Sequence, residues 1–184
     1  MKPDLSFVEQ VSELSQQNVQ RCYYCLRCSA GCHSDYAMDF TPAQILRLTQ
    51  LGQKDVLFHS SAIWLCIGCE TCGTRCPNEI HAGAVIDALR QLALKQEVPA
   101  AEKSVFRLHK AFLSTIHLWG RLHEVSMLAQ YAVTNLVSRA VFGNIDMGAA
   151  LFLKGKLELL PHRTKDIAQV RQLFSLAEEA HDDD

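Results

Sequence analysis

The chain has 184 residues, of which 48% are hydrophobic, and its formal net charge is −2. This length allows one domain, or a core stapled by a cofactor with an appended part. The near-neutral charge gives no support for nucleic-acid binding, and no apolar stretch approaches the roughly 18 residues that a membrane-spanning helix needs. The first residues lack the apolar core of a secretory signal, so we expect a reducing, cytosolic location.

The N-terminal segment predicts a short amphipathic helix over residues 5–17. Its apolar positions, Leu5, Val8, Val11 and Leu14, are three residues apart and therefore fall on one face of a helix. The segment leads directly to the first cluster of cysteines.

The cysteines occur in two runs of the same design and nowhere else. The runs are Cys22-x2-Cys25-x2-Cys28-x3-Cys32 and Cys66-x2-Cys69-x2-Cys72-x3-Cys76, the second followed by Pro77. This spacing is that of bacterial two-cluster ferredoxins, in which the fourth cysteine of each run ligates the other cluster. The sequence therefore predicts two [4Fe–4S] clusters, one held by Cys22, Cys25, Cys28 and Cys76, the other by Cys66, Cys69, Cys72 and Cys32.

Two other uses of eight cysteines are weaker. Zinc sites with four thiolates usually use two separated C-x2-C pairs, which a triplet plus a fourth cysteine does not resemble. A disulfide framework requires an oxidising compartment. A zinc-stabilised interaction module without redox function is the alternative of a different class.

Residues beside the runs suggest how clusters would be tuned. Ser29, Ala30 and Gly31 are small and allow the backbone to approach a cluster and offer amide N–H groups to its sulfurs. Arg21, Arg27 and Arg75 flank or lie within the runs, where positive charge favours the reduced state. The alternative is that these side chains point to solvent. His33, which stands where Pro77 stands in the second run, is expected to fill a turn position.

The segment between the runs predicts two helical stretches. Thr41, Pro42 and Gln44 form a helix start with a capping box, and Gly52 provides a left-handed end. Residues 54–65 are expected to form a buried turn of helix that leads into the second run, with Trp64 packing in the core around a cluster.

Beyond the second run the sequence predicts helices only. We expect helices over residues 80–96, 102–118, 122–140, 146–153 and 165–180, with an extended stretch from Gly155 to Pro161. No segment keeps the alternation of a half-buried strand. The predicted fold is thus all-α: a helical ferredoxin-like two-cluster domain over residues 1–100, and a helical partner-docking extension with an acidic tail over residues 101–184. Residues 101–177 contain 10 Lys/Arg and 5 Asp/Glu, a balance of +5.

The residues indicate an electron carrier rather than a catalyst. No Gly-rich dinucleotide fingerprint and no P-loop occurs, and all eight cysteines are assigned as ligands, which leaves no thiol as a nucleophile. We therefore expect a non-catalytic electron-transfer subunit of an oxidoreductase complex.

Residues 20–97 resemble the C subunits of the heterodisulfide reductases, a family that includes the sulfur-oxidising heterodisulfide reductase-like complexes. The resemblance extends to the segment from Phe106 to Pro161, and it is carried by CYYCLRCSAGC, DFTPAQILRL, IWLCIGCETCGTRCP, IDALRQLA and KGKLELLP. It implies a helical ferredoxin fold and a relay between two partners, a flavin-containing A subunit, which also bears clusters, and a catalytic B subunit, which has CCG motifs. His33 departs from the family pattern, in which proline is usual after the fourth cysteine.

Another redox interpretation is the cluster subunit of a glycerol-3-phosphate, lactate or succinate dehydrogenase. Succinate-type subunits need a further [2Fe–2S] domain with more cysteines, and the other two types usually carry CCG segments in the same chain. Neither feature occurs here.

Overall fold

The computed structural model describes residues 4–134, 153–155 and 160–182. The chain divides into two compact units, Met1–Lys103 and Ser104–Asp184. The described residues form helices and contain no strand, which confirms the predicted all-α class.

The first unit contains six α-helices and three single 3₁₀ turns. The turns are Val19–Arg21, Ser29–Gly31 and Asp35–Ala37, and the helices are α1 (Leu5–Ser15), α2 (Pro42–Gln50), α3 (Lys54–Phe58), α4 (Ala62–Leu65), α5 (Thr71–Arg75) and α6 (Ala82–Lys95). The predicted buried turn over residues 54–65 is thus two short helices, because His59 to Ser61 interrupt it.

The helix ends follow from local sequence. The side chain of Asp4 accepts a hydrogen bond from the N–H of Phe7 and caps α1. At the start of α2 the N–H of Thr41 donates to Oε1 of Gln44 at 2.8 Å, the reciprocal half of the predicted capping box. Gly52 has φ +61°, and a Cβ there would collide with the backbone of Asp4, so the position requires glycine.

Helix α6 is the centre of the first unit. It packs against α1, α2, α3, α4 and α5. Val85 and Leu89 on α6 are fully buried, and Trp64 on α4 is 2% exposed, as predicted for core packing. Phe7 and Phe58 meet edge to face with ring centroids 5.6 Å apart, an arrangement that contributes about 1 kcal/mol beyond area burial. This packing fixes the two cysteine loops on one rigid scaffold.

The second unit contains α7 (Lys103–Trp119), α8 (Glu124–Thr134) and α9 (Ile167–Asp182). The rings of His117 on α7 and Phe174 on α9 are 5.3 Å apart, and the N–H of Thr164 donates to the carbonyl of Trp119. These contacts join α7 to α9. The end of the predicted helix over residues 122–140, most of the predicted helix over residues 146–153 and most of the predicted extended stretch lie outside the described residues. No described helix combines the length and apolar character needed to cross a membrane.

Candidate iron–sulfur site

The two cysteine runs fold into matching loops. A single turn of helix precedes each run, and the N–H groups of Cys22 and Cys66 donate to carbonyls of that turn. The fourth cysteines are also alike: the N–H of Cys32 donates to Ser29 at 3.0 Å, and that of Cys76 donates to Gly73 at 3.1 Å. The backbone therefore repeats at the 44-residue interval of the cysteines.

Left-handed backbone conformations recur at equivalent positions of both loops. Tyr24 has φ 62° and its counterpart Gly68 has φ 64°, while Leu26 has φ 65° and its counterpart Glu70 has φ 56°. Non-glycine residues adopt this region at a cost of order 1–3 kcal/mol and persist there only where the surrounding structure holds them. Left-handed residues of this kind occur in the concave backbone turns that bind anions, including iron–sulfur clusters.

Cysteines from both runs line one cavity. Cys32 of the first run lies there with Cys66, Cys69 and Cys72 of the second run. Pro42, Gly83 and Ile86 complete much of the wall. All eight cysteines are free thiols. Among the described residues, no three His, Cys, Asp or Glu side chains converge closely enough to hold a single metal ion.

This donor set fits an iron–sulfur cluster. Four thiols and an otherwise largely apolar wall match the ligands and the surroundings that such clusters use. A Cβ on Gly83 would lie 2.8 Å from Oε1 of Glu70, so α6 approaches the end of this side chain closely at Gly83.

The remaining cysteines, Cys22, Cys25, Cys28 and Cys76, lie in the other loop and at the end of α5. Cys25 is exposed and Cys28 is buried. The structure brings the end of the second run to the first: Nδ2 of Asn78 donates to the carbonyl of Arg21. Partial desolvation, aided by the nearby thiols of Cys25 and Cys76, raises the pKa of Tyr23. The Asn78 contact thus brings the residues that follow Cys76 to the start of the first run.

The thiols differ in their acidity. Burial raises the pKa of Cys28, Cys66 and Cys72, since desolvation disfavours a thiolate. Hydrogen bonds from the side chain and backbone of Thr71 lower the pKa of Cys69, whose Sγ is 3.4 Å from Oγ1 of Thr71. Cluster binding must remove the protons from the buried thiols, because the ligand is the thiolate.

The structure places the arginines that flank the runs, and also His33, at the surface. Arg21, Arg27 and Arg75 are all exposed, and His33 is exposed in a bend. The side chain of Arg75 lies against Gly31, where an added Cβ would be 2.7 Å from its Cδ. Arg75 of the second run therefore contacts the residue before Cys32.

The sequence did not indicate several residues that hold the loops in place. Gln50 and Arg90 donate hydrogen bonds to carbonyls of the first and second loops. Nδ1 of His81 lies 3.1 Å from Oε2 of Glu70 in the second loop. These residues sit on or beside regular helices, and no local pattern distinguishes them from surface positions.

Asp39 is a further structural residue that the sequence did not indicate. Its carboxylate accepts hydrogen bonds from the Oγ of Ser60 at 2.7 Å and from the N–H groups of Ser61 and Ala62 at 2.9 and 3.0 Å. Partial burial alone would raise its pKa, but these hydrogen bonds hold the pKa of Asp39 below its usual value. The carboxylate thereby caps α4, the helix that delivers Cys66.

The fold and the cysteine loops define a class, the helical iron–sulfur proteins with two cysteine runs. Residues 21–80 match the 4Fe-4S dicluster domain family. The match supports 4Fe–4S cluster chemistry, and the name dicluster is consistent with the predicted number of two.

Within this class the chain is similar, over about half of its length, to the heterodisulfide reductase C subunits. It is 34% identical over 104 residues to the C-type iron-sulfur subunit of the CoB–CoM heterodisulfide reductase of Methanopyrus kandleri, and the alignment covers 52% of this chain and 53% of that protein. The C-type subunit of the H2:CoB-CoM heterodisulfide,ferredoxin reductase of Methanothermobacter thermautotrophicus is 28% identical over 92 residues, half of each chain. The chain thus spans about half the length of these curated relatives.

A relative with a different name covers more of the chain. The 8-methylmenaquinol:fumarate reductase iron-sulfur subunit of Wolinella succinogenes is 29% identical over 153 residues, 76% of this chain and 46% of that protein. This similarity therefore extends over more of the chain than either of the other two alignments.

Proposed function

We propose that this chain is the iron–sulfur electron-transfer subunit of a heterodisulfide reductase or heterodisulfide reductase-like complex. It relays electrons between a flavin-containing A subunit, on one side, and a catalytic B subunit with CCG motifs, on the other. It performs no catalysis of its own and works in the cytoplasm, in the sulfur metabolism of its cell.

The observation that carries the proposal is the cavity shared by cysteines of both runs. Cys32 lies with Cys66, Cys69 and Cys72, and Asn78, two residues after Cys76, donates a hydrogen bond to the carbonyl of Arg21 beside the first run. We infer that Cys66, Cys69, Cys72 and Cys32 hold one [4Fe–4S] cluster, and that Cys22, Cys25, Cys28 and Cys76 hold the other. Crossed fourth ligands, as proposed here, require the two sites to lie side by side, which suits transfer from one to the other.

The chain itself supplies binding, spacing and electrostatics. Bound clusters provide one-electron chemistry at a potential that net charge, hydrogen bonds and exposure determine. Cys25 and Cys69 are both exposed, and each lies in the middle of its loop. Each site thus has one thiol near the surface, where an electron can enter or leave.

The second unit is the proposed docking platform for the partner subunits. Its helix α7 buries Ala111 and Thr115 and leaves Leu108, Phe112 and Leu113 at 38%, 39% and 50% exposure. Exposed apolar side chains in helical register are typical of a surface that a partner covers. The +5 charge balance of residues 101–177 favours an acidic partner surface.

The proposal is tested by anaerobic purification of the tagged chain from its native host. We expect about eight irons per chain, as two [4Fe–4S] clusters require, and visible absorption that bleaches with dithionite. A flavoprotein and a protein with CCG motifs should copurify. A colourless, zinc-containing chain would refute the cluster assignment.

The fumarate reductase alignment favours a second candidate, an iron–sulfur subunit of a quinone-linked dehydrogenase. It aligns with 76% of this chain, more than either heterodisulfide reductase relative does. Copurification with a membrane-bound quinone-reactive partner, without a protein carrying CCG motifs, would favour this function over the first.

A further inference from the structure

One long side chain from a following helix holds the start of each cysteine loop. Nε2 of Gln50, at the end of α2, donates to the carbonyls of Val19 and Cys22, both at 2.9 Å. Arg90 on α6 does the same in the second loop: Nε donates to Ile63 at 2.8 Å and Nη2 to Cys66 at 3.1 Å. In each case the acceptors are the first cysteine of the run and the residue three positions before it.

The side chains of Gln50 and Arg90, which we call the clamps, bind equivalent carbonyls but differ in charge. Each clamp also contacts the side chain three residues earlier on its helix. Oε1 of Gln50 accepts from Nη1 of Arg47 at 3.1 Å, and Nη1 of Arg90 lies 3.4 Å from Oδ1 of Asp87. The first loop therefore meets a neutral amide with an exposed cation behind it, whereas the second loop meets the cation directly.

Burial determines which of these charges acts on the loop. The side chain of Arg90 is 19% exposed and that of Asp87 is 56% exposed. Solvent screens the exposed Asp87 more strongly than the partly buried guanidinium beside Cys66. Ile86, one helical turn before Arg90, lines the cavity of Cys32, Cys66, Cys69 and Cys72.

We propose that Arg90 is a positioning residue for the cluster of Cys32, Cys66, Cys69 and Cys72, and that its charge, which Gln50 lacks, raises the reduction potential of that cluster. The inference rests on the proposed function, since it requires both clusters to be bound. Positive charge near a cluster favours the reduced state, which carries one more negative charge. Arg90 acts through the backbone carbonyl of Cys66 and does not ligate iron.

Glu70 is the opposing charge in the same loop. Its carboxylate lies 3.1 Å from Nδ1 of His81, and both side chains are about half exposed, at 52% and 48%. Variants at Arg90 leave this pair unchanged, so a change of potential in them reports on Arg90.

The test is potentiometric titration of the cluster-loaded full-length chain, monitored by electron paramagnetic resonance. Arg90→Gln places on α6 the amide that α2 carries at Gln50. We expect one midpoint potential to fall by about 59 mV, which for one electron is a tenfold change in the reduction equilibrium. The other midpoint potential should not change. Arg90→Lys keeps the charge and should retain most of the potential.

Matched variants complete the experiment. Arg47→Gln removes the exposed cation behind Gln50, and its effect should be much smaller than that of Arg90→Gln. Asp87→Asn removes the counter-charge and should raise the same midpoint that Arg90→Gln lowers. If Arg90→Gln fails to load iron, the clamp is required for assembly, and Asp87→Asn alone decides the effect of charge.

The results separate this inference from the proposed function. A wild-type chain without two clusters refutes the function itself. Two loaded clusters with midpoints that neither Arg90→Gln nor Asp87→Asn moves overturn the role of Arg90 and leave the function standing. Equal shifts in Arg90→Gln and Arg47→Gln would likewise overturn it, because a general surface effect would then explain both.

Discussion

Helices α2, α3 and α4 separate Cys32 from Cys66 along the chain, yet both cysteines line one cavity. The reason is that the turn Ser29–Gly31 packs against α5 of the second run. The side chain of Arg75 also lies against Gly31. A single residue of the first run can therefore control the site that the second run forms.

We expect Cys32→Ser to damage the cluster of Cys66, Cys69 and Cys72 and to spare that of Cys22, Cys25 and Cys28. The measurement is the paramagnetic resonance spectrum of the reconstituted variant, compared with those of Cys69→Ser and Cys25→Ser. Cys32→Ser should resemble Cys69→Ser, and Cys76→Ser should resemble Cys25→Ser. Resemblance of Cys32→Ser to Cys25→Ser would contradict the crossed ligation.

The arginines in the loops lead to a second expectation at this scale. Arg75→Gln and Arg27→Gln should each lower a cluster potential, because a positive charge favours the reduced state. Both side chains are exposed, so the shifts should shrink as ionic strength rises. Redox titrations at low and high salt measure this effect. Unchanged potentials in both variants would mean that the two guanidinium groups point to solvent and do not affect the cluster potentials.

At the scale of elements, the short helices need support from distant residues. Helix α4 has only four residues and cannot stabilise itself. The carboxylate of Asp39 accepts hydrogen bonds from the first N–H groups of this helix and therefore replaces a local cap. The loop that carries Cys66 depends on a residue that precedes α2.

We expect Asp39→Ala to lower the free energy of unfolding by about 1 kcal/mol at pH 7, the usual cost of a lost cap. The hydrogen bonds lower the pKa of Asp39 from 3.8, so the carboxylate stabilises the fold above that pH. This contribution disappears as the pH falls through the lowered pKa, and the difference from wild type should narrow there. Chemical denaturation followed by circular dichroism measures both effects.

The exposed Asp55 in the first turn of α3 offers a matched control. Asp55→Ala removes a carboxylate of the same kind from a helix start, and this carboxylate does not reach across to another helix as Asp39 does. A loss of stability as large as that of Asp39→Ala would show that the cap on α4 is not the cause.

At the scale of the whole molecule, we predict that the first unit binds the clusters and that the second unit binds the partner subunits. All eight cysteines and the clamps Gln50 and Arg90 belong to the unit Met1–Lys103. The buried residues around α6 give this unit a core of its own. The second unit supplies exposed apolar helices and no cysteine.

Deletion of residues 101–184 should therefore leave a chain that binds both clusters and accepts electrons from a chemical reductant. It should no longer copurify with its catalytic partner. Iron analysis and affinity purification measure these outcomes. Loss of both clusters would indicate that the extension completes the cluster domain, and unchanged copurification would place the docking surface in the first unit.

The sequence by itself determined the all-α class and most helix boundaries of the first unit, and it pointed to 4Fe–4S cluster chemistry, which the family match supports. Cysteine spacing, the Thr41–Gln44 capping box and Gly52 are local signals, which a few consecutive residues carry in full. The crossed ligation was also predicted from spacing; the cavity around Cys32 supports it, and it stays a prediction. The boundary of the docking extension stays a prediction as well.

Only the tertiary structure decided which side chains hold the loops. Gln50 reaches Cys22 across 28 positions, and Arg90 reaches Cys66 across 24. The cysteine runs repeat at 44 residues but the clamps at 40, so an alignment of the two runs does not pair Gln50 with Arg90. Such contacts depend on how α2 and α6 pack, because a loop carbonyl accepts a hydrogen bond from any N–H donor that the packing brings within reach. No particular residue type is required.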